Sequence, residues 1–205
     1  MFNKDDLLFF DHSPYSPHST IYGLIKKDST ILDIGCNAGY LGRELQKKSV
    51  ISDGVDSNKK ALEKAKKYYR SVFFRDLYTP RLQLANYSYD YIVLADILEH
   101  LPQPGLLLTD CKKYLKKSGK VIISLPNVAR IEIRLGLLLG KFNYSPGILG
   151  EDHLRFFTRD TGIKLIEDSG LRVEKIIPTG FGKRIGMLPT LFAFQFIFVC
   201  ALREN

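Results

Sequence analysis

Residues 31–42 read ILDIGCNAGYLG, three aliphatic side chains around one acid, followed by a run of small residues. A strand that ends in such a turn and opens onto a helix is typical of the ligand-binding edge of an α/β sheet. Two nucleotide turns are excluded, because a dinucleotide motif needs glycine where Asn37 and Tyr40 stand and no Gly-Lys-Ser/Thr follows. The pattern D-x-G-x-[G]-x-G fits, with Asn37 in place of one glycine. Asparagine tolerates positive φ better than most residues, so the turn is expected to form with less room for a ligand there.

Strand-length apolar runs alternate with amphipathic segments of helix length along the rest of the chain. This alternation predicts an α/β fold, a doubly wound, Rossmann-like sheet of seven mostly parallel strands with helices on both faces. The last two runs have no helix-length segment between them, so the last strand is predicted to be antiparallel. A helix is predicted at 105–117, with its stop at Gly119. The predicted strands are TILDI, VISDGVD, SVFFRD, YDYIVLAD, KVIISLP, LRVEKIIPTG and LFAFQFIFVCAL.

The length of 205 residues and the hydrophobic content of 45% suit a single domain, 1–205. An N-terminal segment, 1–28, precedes the first strand, and a substrate-side insertion is predicted at about 127–157, where the alternation breaks. The apolar run at 187–202 is shorter than the roughly 20 residues of a membrane span, and Gln195 interrupts it. Three cysteines without a Cys-x-x-Cys pair predict reduced thiols and a cytoplasmic location.

The formal net charge is +8, and lysines cluster in NKKALEKAKKYYR and CKKYLKKSGK, both of helical character. The favoured interpretation is that these lysines cover solvated helix faces. The alternative is an anionic partner, either a nucleic acid, a phosphorylated substrate or an acidic membrane surface. Charge alone leaves both open, because lysine runs carry no base-reading chemistry.

Three further stretches end successive strands with an acid, namely GVDSN, FFRDL and YDYIVLADILEHL. Together with ILDIGCNAG they resemble the motifs of class I S-adenosylmethionine-dependent methyltransferases, and the resemblance covers nearly the whole chain. It implies S-adenosylmethionine as cofactor and S-adenosylhomocysteine as product. It further implies that Asp56 bonds the ribose hydroxyls, that Asp76 accepts from the adenine amino group and that Leu77 flanks the ring. The cofactor-binding residues expected from this resemblance are Asp33, Gly35, Cys36, Asn37, Gly39, Asp56, Ser57, Asp76, Leu77, Ala95 and Asp96.

Residues 124–158 carry an SLPN turn and a GILGEDHLRFFT segment. This stretch is similar to a MetW-like subgroup of these methyltransferases, with UbiG-like O-methyltransferases among the relatives. The subgroup usually has GILD where this chain has GILG. This chain therefore has Gly150 where the subgroup carries an acid, and Glu151 follows it.

Histidines supply the catalytic candidates. His153 is the first choice for a general base, because it lies in the insertion and its ordinary pKa suits proton transfer near neutrality. The alternative is that His153 bonds a backbone carbonyl or caps the helix near Thr158. His100, in the EH pair, is a second candidate that otherwise shapes the pocket floor. Glu99 and His100 alone are a weak metal signal, so no metal site is predicted.

Four residues are candidates for substrate binding. Arg155 suits a phosphate or carboxylate by its bidentate geometry, or else it braces the insertion. Asn127 follows the fifth strand and is also suited to fixing the turn there. Tyr15 and His18 belong to the N-terminal segment, which precedes the first strand and is placed to close over the cofactor.

These inferences predict an enzyme that methylates a small molecule, with O-methylation of a saccharide, a lipid-linked or a quinone-type acceptor. The basic charge keeps an RNA methyltransferase as an alternative, but the fourth strand is followed by ADIL and not by an Asn/Asp-Pro-Pro-Tyr/Phe motif. No nucleic-acid partner and no transmembrane segment are therefore expected. A non-catalytic, cofactor-binding partner protein in methionine or polysaccharide metabolism is the other alternative. The apolar IRLGLLLG suits a lid helix or a dimer contact, which leaves monomer and homodimer open.

Overall fold

A sheet of seven strands organises the part of the chain that the structure describes. This structure is a computed structural model, and it describes residues 10–79, 81–84, 88–145 and 147–203. The strands are β1 (Thr30–Ile34), β2 (Ile51–Asp56), β3 (Ser71–Phe74), β4 (Tyr89–Ala95), β5 (Leu115–Pro126), β6 (Leu171–Pro178) and β7 (Gln195–Leu202).

The strand order is β3-β2-β1-β4-β5-β7-β6. Strand β1 pairs in parallel with β2 on one side and with β4 on the other, so the strand order reverses between β1 and β4. Ligands of doubly wound sheets bind beyond the carboxyl ends of the strands at such a point. Strand β7 runs antiparallel to both β5 and β6. The predicted α/β fold, with a mostly parallel sheet and an antiparallel last strand, is confirmed.

Helices pack on both faces of this sheet. The helices are α1 (Pro17–Leu24), α2 (Tyr40–Leu45), α3 (Lys59–Ala65), α4 (Pro104–Cys111), α5 (Ile131–Leu138), α6 (Arg159–Asp168), α7 (Phe181–Ile185) and α8 (Pro189–Phe192). Neighbouring residues of a strand face opposite sides. Ile31 accordingly packs in one apolar cluster with Leu41 of α2, whereas Leu32 packs in another with Leu107 of α4 and Ile166 of α6.

The helix that precedes β5 is shorter than its sequence pattern predicts. It ends at Cys111, and β5 already begins at Leu115. Leu115 is buried and pairs with Tyr89 of β4. The prediction of a helix to residue 117 was wrong. Lysine favours helices, but sheet pairing and the burial of Leu115 outweigh this small intrinsic preference.

The connection between β6 and β7 also differs from the prediction. Two short helices, α7 and α8, lie where no helix was expected, and β7 begins at Gln195 rather than near Phe192. Gly186 ends α7 with a φ of 64°, and Pro189 opens α8. Helices of five and four residues are too short to give a readable 3.6-residue period.

The insertion leaves and rejoins the fold at one point. A parallel β-bridge joins Asn127 to Phe157, and α5 lies between them. The division into one domain (1–205) with an N-terminal segment (1–28) and an insertion (127–157) stays a proposal. Residues 1–9 of the N-terminal segment and Pro146 of the insertion lie outside the described residues.

All three cysteines are buried free thiols, as expected for reduced cysteines. Among the described helices, none is both long enough and apolar enough to cross a lipid bilayer.

Candidate active site

The turn after β1 has the conformation that its sequence predicts. Gly35, Asn37 and Gly39 all have positive φ, of 81°, 45° and 85°. The expectation that Asn37 replaces a glycine at a left-handed position is confirmed. A Cβ at Gly39 would lie 3.0 Å from the rings of Tyr68 and Tyr69, so the start of α2 needs a residue without a side chain.

Asp56 connects this turn to the end of β2. Its Oδ2 accepts a hydrogen bond from the backbone N–H of Asn37 at 2.8 Å, and its Oδ1 accepts one from Asn58 at 2.7 Å. Each carboxylate oxygen can accept a further hydrogen bond. Asp56 is half-buried and Ser57 beside it is exposed, so the carboxylate faces a region that a ligand can reach.

A narrow cavity lies where the turn meets the end of β4. Asp33 is buried at its wall and accepts a short hydrogen bond from the Tyr69 hydroxyl. The pKa of Asp33 is raised to about 7, mainly by burial and to a smaller extent by Asp56, against the opposing effect of the Tyr69 hydrogen bond. The residues around the cavity are His18, Ile21, Asp33, Gly35, Cys36, Tyr40, Leu41 and Ala95.

Asp96 follows β4 in a left-handed conformation, with φ of 52°. Its Oδ1 accepts hydrogen bonds from Ser124 Oγ at 2.6 Å and from Gln195 Nε2 at 2.8 Å. Sequence reasoning missed both donors. The signal for Gln195 was its position, a single amide within an otherwise apolar strand.

A larger cavity of about 740 Å³ lies beyond the end of β3. Asp76 lines it, although both carboxylate oxygens also accept local hydrogen bonds, from the Tyr78 N–H and the Thr79 hydroxyl. Leu77 was expected to flank the adenine ring, but its side chain is only 4% exposed and packs in the core. Phe74 and Tyr78 are the aromatic side chains at this cavity, which the sequence did not single out.

The two catalytic candidates, His100 and His153, lie against each other. Their rings are 4.7 Å apart between centroids and nearly perpendicular, at 83°. The insertion is fixed here because the N–H groups of Leu154 and Arg155 donate to the backbone carbonyl of Glu99, at 2.8 and 3.0 Å. A Cβ at Gly150 would lie 3.2 Å from His153 Nε2, so the missing acid at this position leaves room for the imidazole.

Each imidazole of this pair bonds a backbone carbonyl through Nδ1. His153 Nδ1 lies 3.0 Å from the Ile148 oxygen, and His100 Nδ1 lies 3.0 Å from the Asp152 oxygen. Burial lowers the pKa of His153, with His100 as the next cause, and both effects favour the neutral ring. The hydrogen bond between His153 and a backbone carbonyl, which was predicted as the alternative to a catalytic role, is present. It uses Nδ1, so Nε2 can still contact other groups.

The four substrate-binding candidates do not form one group. His18 lines the narrow cavity and packs against Tyr40, with ring centroids 5.2 Å apart. Tyr15 lies away from it, where its carbonyl accepts from Gly180 at 2.7 Å. Arg155 donates to the Pro102 carbonyl at 2.6 Å, which supports its bracing role.

Asn127 is fully buried, and its side chain is engaged within the protein. Nδ2 donates to the carbonyls of Thr190 and Ala193, and Oδ1 accepts from the Ala129 N–H. The side chain therefore fixes the turn after β5, which is the second of the two roles predicted for Asn127. These partners and the burial of Asn127 leave its side chain no face toward a ligand, which is evidence against the predicted substrate contact.

A family model described as a methyltransferase domain matches residues 15–176. The chain belongs to this methyltransferase family. The family predicted from the sequence is thereby confirmed, together with the cofactor of that family, S-adenosylmethionine.

Relatives of this methyltransferase agree with the assignment. A ubiquinone biosynthesis O-methyltransferase of Nitrosomonas europaea is 30% identical over 116 residues, which cover 52% of this chain and 47% of that protein. The chain thus spans about half the length of this curated relative. A methyltransferase structure from Aquifex aeolicus covers 94% of both chains, with a TM-score of 0.66 and 17% identity. The Synechocystis magnesium protoporphyrin IX methyltransferase with bound S-adenosylhomocysteine covers 90% of this chain and 78% of its own, with a TM-score of 0.61 and 16% identity. At such identities the two structures support the fold alone.

Proposed function

We propose that this methyltransferase holds S-adenosylmethionine along the carboxyl ends of β1, β2 and β3. Carboxylates suit three parts of that molecule, with Asp33 for the ammonium group, Asp56 for the ribose hydroxyls and Asp76 for the adenine amino group. Gly35, Cys36, Gly39, Ser57, Ala95 and Asp96 belong to the same proposed surface. The bound cofactor supplies a methyl group made electrophilic by a positively charged sulfur.

The acceptor side of the proposed reaction is the pair His100 and His153. This pair carries the proposal, because the Nδ1 of His153 bonds a backbone carbonyl, which leaves Nε2 to face an acceptor, and burial lowers the pKa of the ring. His153 Nε2 accepts the proton of the acceptor hydroxyl while the oxygen bonds the methyl carbon. The carbon–sulfur bond breaks in the same step and its electron pair stays on sulfur.

The surface around the histidines favours an apolar acceptor. Phe156 lies 6.4 Å from the His153 ring and 6.0 Å from Phe142, between ring centroids. Helix α5, which precedes Phe142 in the chain, exposes large apolar side chains, with Leu138 82% exposed. An acceptor with a long hydrocarbon part would cover this surface. Of the three predicted classes, a lipid-linked or quinone-type acceptor therefore fits better than a saccharide, and the Nitrosomonas relative is named for ubiquinone biosynthesis.

The test compares three acceptors by S-adenosylhomocysteine release: a phenol with an isoprenoid tail, the same phenol without the tail, and a saccharide. We expect the tailed phenol to be the best substrate. In Leu138→Glu its KM should rise about tenfold, since burial of one leucine is worth roughly 1.5–3 kcal/mol. The KM of the tail-less phenol should stay the same. Preference for the saccharide, or equal effects on both phenols, would contradict the acceptor class.

A second pair of variants tests the histidine. His153→Gln should lower kcat at least about 100-fold, within the range for loss of a general base, without changing S-adenosylhomocysteine affinity. His12→Gln removes an exposed imidazole elsewhere and should leave both values unchanged. If none of the acceptors leads to release of S-adenosylhomocysteine, the result would favour the non-catalytic alternative.

A further inference from the structure

Three side chains able to bind a metal meet where the insertion packs against the end of β4. The ligand atoms of Glu99, His100 and His153 all lie within 4.8 Å of one another. We propose that these three residues bind one divalent transition-metal ion, with Zn²⁺ as its representative. The site departs from the expectation drawn from the sequence, in which Glu99 and His100 had no third partner. Folding brings His153 to them from the insertion.

Glu99 is the residue whose environment most needs a cation. It is 1% exposed, and within the described part of the chain neither carboxylate oxygen accepts a hydrogen bond from another residue. A buried, unpaired carboxylate is strongly unfavourable, so buried charges are normally paired or bound to metal. Burial raises the pKa of Glu99 well above its usual value, and Asp96 raises it further. A bound cation would supply the missing partner.

Both histidines are oriented as metal ligands are. A ligating histidine commonly donates its other ring N–H to a backbone carbonyl, which fixes the tautomer and the ring orientation. Here Nδ1 of His100 faces the Asp152 carbonyl and Nδ1 of His153 faces the Ile148 carbonyl, each at 3.0 Å. The Nε2 lone pairs of both rings are therefore available to a common ion.

The geometry limits both the fit and the kind of ion. Ligand atoms around one tetrahedral Zn²⁺ lie about 3.3 Å apart, given bonds of roughly 2.0–2.1 Å. Closing from 4.8 Å needs side-chain shifts of only about 1 Å each. Two imidazoles and one carboxylate favour zinc or a neighbouring transition metal over Mg²⁺ or Ca²⁺, which prefer oxygen ligands. Three protein ligands leave a fourth position open, as in catalytic zinc sites.

The open position has a use if the proposed O-methylation is correct, and this one role rests on that proposal. A cation there would coordinate the acceptor hydroxyl and lower its pKa, so that the proton is released to water before the oxygen attacks. The imidazoles would then act as ligands, and His153 would serve as the base only in the metal-free protein. Metal binding itself does not depend on this role.

The experiment is calorimetric titration of ZnCl₂ into chelator-treated, full-length protein at pH 7.5. We expect one saturable site per chain with micromolar or tighter affinity. Glu99→Gln and His153→Gln should each weaken it at least about 30-fold, in line with the loss of a ligand. His12→Gln is the matched control and should bind as the unmodified protein does.

Cobalt provides a second measurement that does not depend on the variants folding. Co²⁺ added to the unmodified protein should give a visible absorption typical of nitrogen ligands, and Zn²⁺ should displace it. Thermal melting should also show that Zn²⁺ in large excess raises the Tm by at least about 5 °C, because the ion binds the native state. Absence of stoichiometric zinc binding would overturn the proposal. So would a zinc affinity in Glu99→Gln or His153→Gln that equals the affinity of the unmodified protein.

Failure of this site and failure of the proposed function give different results. Zinc binding at the three residues without methyl transfer to any phenol would contradict the proposed function and leave the metal site standing. Methyl transfer that continues in chelator, in protein that takes up no zinc, would contradict the metal site and leave the function standing.

Discussion

The carboxyl group of Asp33 lies inside the protein at the end of β1, where only the Tyr69 hydroxyl bonds its Oδ2 among the described residues. Its pKa of about 7 means that the folded protein keeps Asp33 protonated in mildly acidic solution. A cationic ligand such as the ammonium group of the cofactor would favour the ionised form. Cofactor binding near pH 7 should therefore be accompanied by release of a proton.

The pKa of Asp33 also predicts how stability varies with pH. The unfolded chain ionises Asp33 near pH 3.8, whereas the folded chain holds the proton up to about pH 7. Between these values the folded state binds more protons, so this residue makes the free energy of unfolding fall by up to about 1.4 kcal/mol per pH unit as pH rises. Above pH 7 its contribution is constant. Urea denaturation at pH 5, 6, 7 and 8 measures the slope.

Asp33→Asn should remove this decline, so that the variant gains stability relative to the unmodified protein from pH 5 to 7. Asp168→Asn is the control, because Asp168 is exposed at the end of α6, where its carboxylate pairs with Lys164. Parallel slopes in the unmodified protein and Asp33→Asn would show that Asp33 ionises at its ordinary pKa.

Asp56 is the residue with which the proposed cofactor site can be tested most directly. Asp56→Ala removes the acceptor of the Asn37 N–H and two proposed hydrogen bonds to the ribose. Hydrogen bonds to a charged group are worth about 1.5–3 kcal/mol each, so S-adenosylhomocysteine affinity should fall at least about 30-fold by calorimetry. Asp168→Ala should leave the affinity unchanged. An unaltered affinity in Asp56→Ala would contradict the assignment of the β2 acid.

Single residues differ in how far the sequence predicts them. The conformation of Asn37 was predictable, because it depends on a local turn and on the backbone preference of asparagine. The burial of Leu77 was not, since it depends on which face of a loop packs against the core. The partnership of Glu99 with His153 was equally hidden, because it depends on how the insertion crosses the sheet.

At the scale of elements, Tyr69 links α2 to β1. Its hydroxyl accepts from the Gly42 N–H at 3.2 Å and donates to Asp33. A Cβ at Gly42 would lie 2.6 Å from the Tyr69 ring, so α2 can approach the tyrosine only where a glycine stands. Sequence motifs did not reveal this contact, because Gly42 looks like an ordinary helical residue.

Two glycine-to-alanine variants should therefore change stability in opposite directions. Gly42→Ala displaces Tyr69 and should lower the free energy of unfolding by about 1–3 kcal/mol. Gly23→Ala, in α1, has no heavy atom within 4 Å of the new Cβ and should raise stability by about 0.5–1 kcal/mol. Chemical denaturation of both variants measures the difference. A stabilised Gly42→Ala would mean that α2 and Tyr69 have room to separate.

Element boundaries show why some of the fold was predictable and some was not. Strand β4 and the second half of β5 carry apolar runs that are buried, and the capping box at Thr158 fixes the start of α6. The end of α4 and the helices α7 and α8 depend on tertiary packing over a few residues, which a local pattern does not encode.

At the scale of the whole molecule, part of the basic surface behind the net charge of +8 is paired within the fold. In the second lysine-rich stretch, four side chains already have partners within the fold. These contacts are Lys112 to the Ser169 carbonyl, Lys113 to Asp110, Lys116 to Asp90 and Lys120 to Glu174. This pairing favours the interpretation that the lysines cover solvated surfaces and not a nucleic-acid groove. The helical character expected for the stretch was wrong in part, since Lys116 and Lys120 lie in β5.

Binding to RNA should accordingly be weak and non-specific. We expect the affinity for a mixed RNA pool to fall at least about 100-fold between 50 and 300 mM salt, as for purely electrostatic contacts. Filter binding at several salt concentrations measures the slope. Retention of the RNA at 300 mM salt would support the RNA methyltransferase alternative.

The bridge between Asn127 and Phe157 makes the intervening stretch an exchangeable module. Because Asn127 and Phe157 lie side by side, a segment from another protein inserted between them should leave the pairing of the seven strands unchanged. If residues 127–157 select the acceptor, as predicted from the sequence, evolution could change the acceptor by replacing this one segment while the proposed cofactor site stays the same. A replacement segment without a histidine at the position of His153 would remove the proposed general base as well as change the acceptor.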